Sequence, residues 1–322
     1  MLKTPGFVQI HQPETEGLAE EAAAGLGARP RAAVSPKFFY DALGSRLFDA
    51  ITELDEYYPT RTEAAILDHH TDAIAAAVRA LLGAAPTLVD LGAGNCAKAA
   101  RLFGPLGVAR YVAVDISVAY LGQTLMALQR EHPSLDMTAV GLDFSQRLEL
   151  PAGLLEGSAL VFYPGSSIGN FDPDAALRLL REARVLAAGG ALLIGVDLVK
   201  SRAVLEAAYD DRLGVTAAFN LNLLLHLNRL LGADFDVRAW RHVALWNEPA
   251  SRIEMHLEAR GDTRVRWRGG ERQFAGGERI HTENSYKWTR EGFSALLRDA
   301  GFARVQAWND ERNAFGVFLA AD

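Results

Sequence analysis

Between residues 86 and 197, five short β-rich runs alternate with helical stretches. That alternation restricts the chain to a parallel sheet covered by helices. The runs are "TLVDLGAG", "ARYVAVD", "MTAVGLD", "ALVFYPGSS" and "GGALLIGVD". Helical spacing fills 97–103, 118–130 and 172–186 between them. Such βαβ units connect with a right-handed crossover. The chain has 322 residues, ample for a large core, and its 49% apolar and 23% charged residues are ordinary for a globular protein.

The flanks follow other rules. Residues 1–75 read mostly as helix, with Leu43, Leu47, Phe48 and Ile51 at helical spacing. Pro59 is expected to interrupt, with Thr60 or Thr62 capping a helix that Gly83 closes. "EAAAGLGARPRAA" reads as a short surface helix entering a loop. After Asp197 come two helices over 201–231, parted by Gly214, then four strand-like runs: "FDVRAWRHVALW", "RIEMHLEA", "TRVRWR" and "RIHTENSYKW". A helix capped by Thr289 and a strand pair, "ARVQAWND" and "AFGVFLA", end the chain. The expected partition is an α/β domain over 76–200 and 289–322. A second, α+β domain takes the N-terminal helices of 1–75 and an insertion over 201–288.

Charge and cysteine content narrow the function. A net charge of −7 and a pI near 5.7 argue against nucleic-acid binding, which rests on a basic surface. One cysteine, Cys96, rules out an intrachain disulfide and suits a reducing, cytoplasmic setting. No apolar run approaches the ~20 residues that a membrane span needs. The first residues mix Lys3, His11 and Glu14 and do not read as a signal peptide. No metal is expected: His69 and His70 are adjacent and cannot share a helical face, and His226 reads as a helix histidine.

The first three β runs end in chemistry. Gly92-Ala93-Gly94 lets a ligand approach the backbone where the next helix presents free N–H groups. Asp115 ends the second run about 20 residues on, where a carboxylate can accept from ribose hydroxyls. Asp143 ends the third, where a polar group can meet an adenine edge. The glycines alone leave a methyl donor, a nicotinamide cofactor and a plain tight turn open, since Gly92, Gly94 and Ala97 also satisfy G-x-G-x-x-A. Two features favour the methyl donor. A long helical stretch precedes the loop and an acid ends each of the next two runs. No Tyr-x-x-x-Lys pair of a short-chain reductase exists.

Five segments together resemble the histidine-specific Nα-methyltransferases of ergothioneine biosynthesis. They are "SPKFFYDALGSRLFDAITELDEYYPTRTEAAIL", "LVDLGAGNCAKAARL", "FYPGSSIGNFDP", "DLVK…AYDDRLGVTAAFNLN" and "HTENSYKW". The resemblance implies a Rossmann-like class I methyltransferase sheet with a second, α+β substrate domain. It implies three methyl transfers from S-adenosylmethionine to the α-amine of L-histidine, giving hercynine. Position by position, it assigns Tyr40, Gly92, Lys98, Asp115, Asp143 and Phe144 to the methyl donor. It assigns Tyr57, Gly165, Asn170, Tyr209, Met255, Glu283 and Ser285 to the amino acid, with Tyr57, Glu283 and Ser285 closest to catalysis. Two departures stand out. Asp90, Ala93 and Asn95 replace the family's usual Glu, Ser and Thr, and Asn284 stands where an apolar residue is commoner.

The side chains suit those tasks. The Asn170 amide and the Tyr209 phenol can donate to a carboxylate. Glu283 and Ser285, two apart on a strand, face one side and can hold the two nitrogens of an imidazole. Tyr57 can favour a growing ammonium through its π face. Plainer readings stand beside each: Asn170 as a turn or cap, the Glu283 strand as exposed, and Tyr57 and Tyr58 as one core and one surface residue. Alternative functions are the same chemistry on another amino acid or amine, a nicotinamide oxidoreductase, or a ligand-binding protein without catalysis.

Overall fold

A computed structural model describes residues 3–10, 15–116, 118–151, 153–155 and 157–322. His11 and Glu14 therefore lie outside the described residues. The first part of the chain forms β1 (Gly6–Gln9), α1 (Thr15–Gly27), β2 (Ala32–Ala33), α2 (Ala42–Thr52), α3 (Tyr58–His69) and α4 (Thr71–Leu82). Then come β3 (Thr87–Leu91), α5 (Ala97–Leu106), β4 (Arg110–Asp115), α6 (Val118–Glu131), β5 (Asp136–Gly141) and β6 (Ala159–Tyr163). Next are α7 (Pro173–Ala187), β7 (Ala191–Asp197), α8 (Arg202–Tyr209), α9 (Val215–Leu231), β8 (Trp240–Asn247) and β9 (Arg252–Ala259). The last elements are β10 (Thr263–Trp267), β11 (Gly270–Phe274), β12 (Arg279–Tyr286), α10 (Arg290–Asp299), β13 (Arg304–Asn309) and β14 (Phe315–Ala321).

The chain divides into two compact units. The first takes β1, Pro59–Val199 and Lys287–Asp322; the second takes the segment from α1 to Tyr58, and Lys200–Tyr286. The first unit carries an eight-stranded sheet of order β1-β5-β4-β3-β6-β7-β14-β13. From β5 to β7 the pairs are parallel, while β14 runs antiparallel between β7 and β13. This is the expected class I methyltransferase sheet, with its strand order reversing at β3. Alternate strand residues feed two cores. Leu88, Tyr111, Phe162 and Leu193 join one with α4, α5 and α6, while Val89, Val112, Val161 and Leu192 join the other with α7 and α10.

The second unit holds a four-stranded sheet, β2-β12-β9-β8, and the hairpin β10-β11. Its core gathers Leu26, Phe39, Phe219, Leu223, Trp240, Ile253 and Met255.

Several expectations change. β1 pairs with β5 in the first unit, so the N-terminus is not purely helical. That four-residue strand has too few alternations to read from sequence. Pro59 starts a helix instead of ending one: α3 begins at Tyr58, and a proline in the first turn donates no N–H that the helix needs. The capping expected of Thr60 or Thr62 fails with it. The helix expected to run on to Gly83 breaks at His70, whose φ of −105° and ψ of 12° are not helical. Helices α3 and α4 belong almost wholly to the sheet unit, which moves the expected 1–75 boundary back to Tyr58. The Ala-rich helix α1 is not a surface helix, since Ala22 and Leu26 are buried. β8 begins only at Trp240, β11 was not anticipated, and β5 stops two residues before Asp143.

Candidate active site

On the sheet unit, β3 ends in a loop whose glycines have the left-handed backbone that non-glycine residues resist: φ is +71° at Gly92 and +52° at Gly94. The Asp115 carboxylate, at the end of β4, accepts from the Gly94 N–H at 2.9 Å. Asp115 therefore shapes the loop, and a carboxylate at this strand end suits hydroxyl donors. Phe144 stands over Gly92, where an added Cβ would lie 3.9 Å from its ring. The same ring meets Tyr163 edge to face at 5.8 Å. Asp143 accepts from both the N–H and the hydroxyl of Ser145, which fixes the turn after β5. Glycine backbone, carboxylate and aromatic ring form a cradle that suits a nucleoside.

Below the loop, Asp90 is buried and accepts from the Tyr111 hydroxyl at 2.7 Å. Its other oxygen has no hydrogen-bond partner among the described residues. Burial pushes the Asp90 carboxyl up to about 7, against the pull of the Tyr111 hydrogen bond. Burial likewise pushes the Cys96 thiol up to about 12, so Cys96 is packing and not a nucleophile. Asp90 carries a pH prediction. The folded protein holds this proton up to about pH 7, whereas the unfolded chain releases it near 3.8. Folded protein binds more protons in that window, so this group's effect lowers stability as pH rises through it. Asp90→Asn mimics the protonated acid, and its melting temperature relative to wild type should climb by a few degrees from pH 4.5 to pH 8. A constant difference across that range contradicts the assignment.

Lys98, on α5, pairs with Glu63 at 2.6 Å. Glu63 is almost wholly buried, and both its oxygens lie 2.9–3.0 Å from the Gly165 N–H. Sequence reasoning gave Glu63 no role, although it lies inside the "YYPTRTEA" segment. The turn after β6 is held at a second point. The Ser166 hydroxyl accepts from the Asp197 N–H at 2.8 Å, and the Asp197 carboxylate pairs with buried Lys287 at 2.8 Å. Gly165 has φ +81°. Asn170 ends a short 3-10 turn, Ser167–Asn170, and is half-buried. It is not the cap of α7: the Asp172 carboxylate caps that helix by accepting from the Ala175 N–H at 2.8 Å.

The second unit brings together most residues assigned to the amino acid. Glu283, Ser285, Tyr209 and Met255 are all buried, and the Tyr209 and Ser285 hydroxyls are 2.7 Å apart. A register shift between His281 and Glu283 decides this. Without the extra residue, Glu283 would share a face with Asn247-bonded Glu254; with it, Glu283 sits opposite Met255 and Ser285 opposite Ile253. Thr282, the extra residue, bonds the Met255 carbonyl at 3.0 Å. The exposed-strand reading of Glu283 and Ser285 fails on their burial. Asn284 pairs with Glu254 on the other face and accepts from His281 at 2.9 Å, so it does not line the Glu283 face.

Tyr209 is braced from behind. The His242 Nε2–H donates to its carbonyl at 2.8 Å, and Nδ1 accepts from the Asn220 amide at 2.8 Å, which fixes the tautomer. Burial lowers the His242 pKa and keeps the ring neutral. Tyr57 meets Phe48 and Tyr209 edge-on at 6.1 and 6.2 Å. Tyr40, assigned to the donor, stands in this unit against Phe48 and Phe219 at 5.8 and 5.9 Å. Both Tyr57 and Tyr58 are buried, against the expected division into core and surface. Tyr58 is covered by the Lys200 ammonium, 4.4 Å from the ring centroid and 2.7 Å from the hydroxyl.

Residues 18–322 match the family of histidine-specific, S-adenosylmethionine-dependent methyltransferases. The chain is 43% identical to the histidine N-alpha-methyltransferase of Mycobacterium tuberculosis, over 94% of both chains. It is 42% identical to the enzyme of that name from Mycolicibacterium smegmatis, over 95% of both. It is 31% identical to ergothioneine biosynthesis protein 1 of Neurospora crassa, over 88% of this chain and 32% of that one. The nicotinamide reading of the glycine loop falls on this evidence, and the chain belongs to the histidine-specific, S-adenosylmethionine-dependent methyltransferase family.

Proposed function

We propose that the chain methylates the α-amine of L-histidine three times, giving hercynine for ergothioneine biosynthesis. The observation that carries the choice of histidine is the buried pair of Glu283 and Ser285 on one strand face, with Ser285 bonded to Tyr209. A carboxylate that accepts from one imidazole nitrogen and a hydroxyl that pairs with the other suit that ring. A side chain without ring nitrogens offers these two buried groups nothing to hydrogen-bond. Met255 packs beside them and gives the ring an apolar wall.

When bound, S-adenosylmethionine supplies an electrophilic methyl group on a sulfonium. Direct displacement then asks the protein chiefly for alignment. On the donor side, Gly92 and Gly94 would leave room for the cofactor, Asp115 would accept from its ribose, Asp143 and Phe144 would bound its adenine, and the Lys98 ammonium would suit its carboxylate. For the amino acid, the resemblance implies that Asn170 and Tyr209 would donate to the carboxylate and that Tyr57, which Phe48 meets edge-on, would favour the amine. Each round generates an ammonium charge that aromatic rings favour and requires a proton to leave the amine to water, directly or with the Tyr57 hydroxyl relaying it by passing its own proton on. A reducing, cytoplasmic setting suits the single, buried Cys96. No helix among the described residues is long and apolar enough to cross a membrane.

Mass spectrometry of a reaction with S-adenosylmethionine and histidine should show mono-, di- and trimethylhistidine in succession. An enzyme that stops at one methyl contradicts the hercynine assignment. Asn170→Ala should raise KM for histidine about tenfold, the loss of one hydrogen bond to a charged group. Affinity for S-adenosylhomocysteine should stay within about threefold, because Asp172 and not Asn170 caps α7. Equal loss of both affinities would mean that Asn170 holds the fold instead.

A further inference from the structure

We infer that Glu63 is a positioning residue for methyl transfer, one carboxylate that sets both the Lys98 ammonium and the turn that leads to Asn170. The inference rests on the reading that Lys98 meets the donor and that Gly165 and Asn170 meet the amino acid. Glu63 comes from α3, Lys98 from α5 and Gly165 from the turn after β6, and their polar atoms converge within 3.0 Å. Glu63 is 1% exposed, whereas the Lys98 side chain is 25% exposed. The anion is thus fixed inside, and the cation reaches outward from it.

The surroundings are cut to this carboxylate. A Cβ on Gly195, in β7, would lie 1.8 Å from Glu63 Oε1, so the central strand gives up a side chain there. A Cβ on Gly165 would lie 3.2 Å from Lys98 Nζ, and its φ of +81° resists any other residue. Stability alone gives little reason for such a site, since a buried ion pair is often no better than an apolar pair of similar volume. Its two partners, however, are both residues assigned to ligands. A rigid anion keeps the Lys98 ammonium from folding back or swinging free, and pins the Gly165 N–H so that the following 3-10 turn keeps one geometry. Placement of reacting groups is what this reaction requires of the protein.

Two substitutions separate the two arms. In Glu63→Gln the amide oxygen can still accept from the Gly165 N–H, but its NH₂ meets the Lys98 ammonium donor to donor. Dissociation constants for S-adenosylhomocysteine should rise at least tenfold, with the melting temperature nearly unchanged. In a Lys98→Met background the same Gln should cost less than twofold more, because the group it acts through is gone. Glu63→Met in that background removes the Gly165 acceptor as well, and should raise KM for histidine at least tenfold above Lys98→Met alone. The double Met variant leaves no charge unpaired, so it carries the test by itself should Glu63→Gln not fold. A Glu63→Gln loss that multiplies fully with Lys98→Met, or a double Met variant that matches Lys98→Met alone, overturns the inference. Lys98→Met with wild-type S-adenosylhomocysteine affinity would sink the underlying donor assignment and the inference with it. Lys98→Met that loses affinity beside a Glu63→Gln enzyme that keeps it would sink the inference alone.

Discussion

Glu283→Ala should lower kcat/KM for histidine by about two orders of magnitude, or about 2.7 kcal/mol of transition-state binding. The size follows from burial. Glu283 is 8% exposed and Ser285 3% exposed, so an imidazole N–H that loses its acceptor there finds no water in exchange. An unpaired buried polar group costs about 1–3 kcal/mol, and more when its partner was charged. Affinity for S-adenosylhomocysteine should stay within about threefold, because Glu283 is not among the residues assigned to the donor. The variant should also discriminate less against leucine and phenylalanine, since the buried carboxylate that favours a ring N–H over an apolar side chain is gone. Steady-state kinetics on the three amino acids check this. Unchanged kinetics on histidine would mean that Glu283 serves its strand and not the substrate.

Asp115→Ala should weaken S-adenosylhomocysteine binding by about a hundredfold. Hydrogen bonds to a charged group contribute about 1.5–3 kcal/mol, which already spans most of that factor. A second loss adds to it, because the same carboxylate accepts from the Gly94 N–H and holds the glycine loop in shape. Asp115→Asn separates the two contributions: its amide oxygen can still accept from Gly94, so it should retain part of the affinity. Calorimetry with S-adenosylhomocysteine reads both. Wild-type affinity in Asp115→Ala would show that the loop is held by other means and that the ribose assignment is wrong.

The middle of the sheet unit, β3 to β7, was legible in the sequence because these strands are buried on almost every residue and read as continuous apolar runs that end in loops. The glycines, Asp115 and Asp143 stand out as candidates from that pattern, and the family resemblance supplied the other candidate site residues. Four features escaped for physical reasons. The shift between His281 and Glu283 is one extra residue in a strand, and no periodicity reveals which residue it is. β1 is too short to show alternation, and its place beside β5 is a long-range pairing. Pro59 was read as a stop when it is a start, since proline serves at a first helical turn as well as after a last one. Glu63 looked like any charged helix residue. Only Gly195, a glycine inside a central strand, hinted that something large approaches there, and strand glycines often mark close approach.

The histidine assignment is tested most directly by competition. Wild-type enzyme is given S-adenosylmethionine and an equimolar mixture of the common amino acids, and every methylated product is quantified by mass spectrometry. Trimethylhistidine should dominate, with leucine and phenylalanine products at least a hundredfold rarer, the discrimination expected of a site that hydrogen-bonds its substrate's ring. A different amino acid that is methylated faster than histidine would contradict the account, whatever the fate of the donor residues.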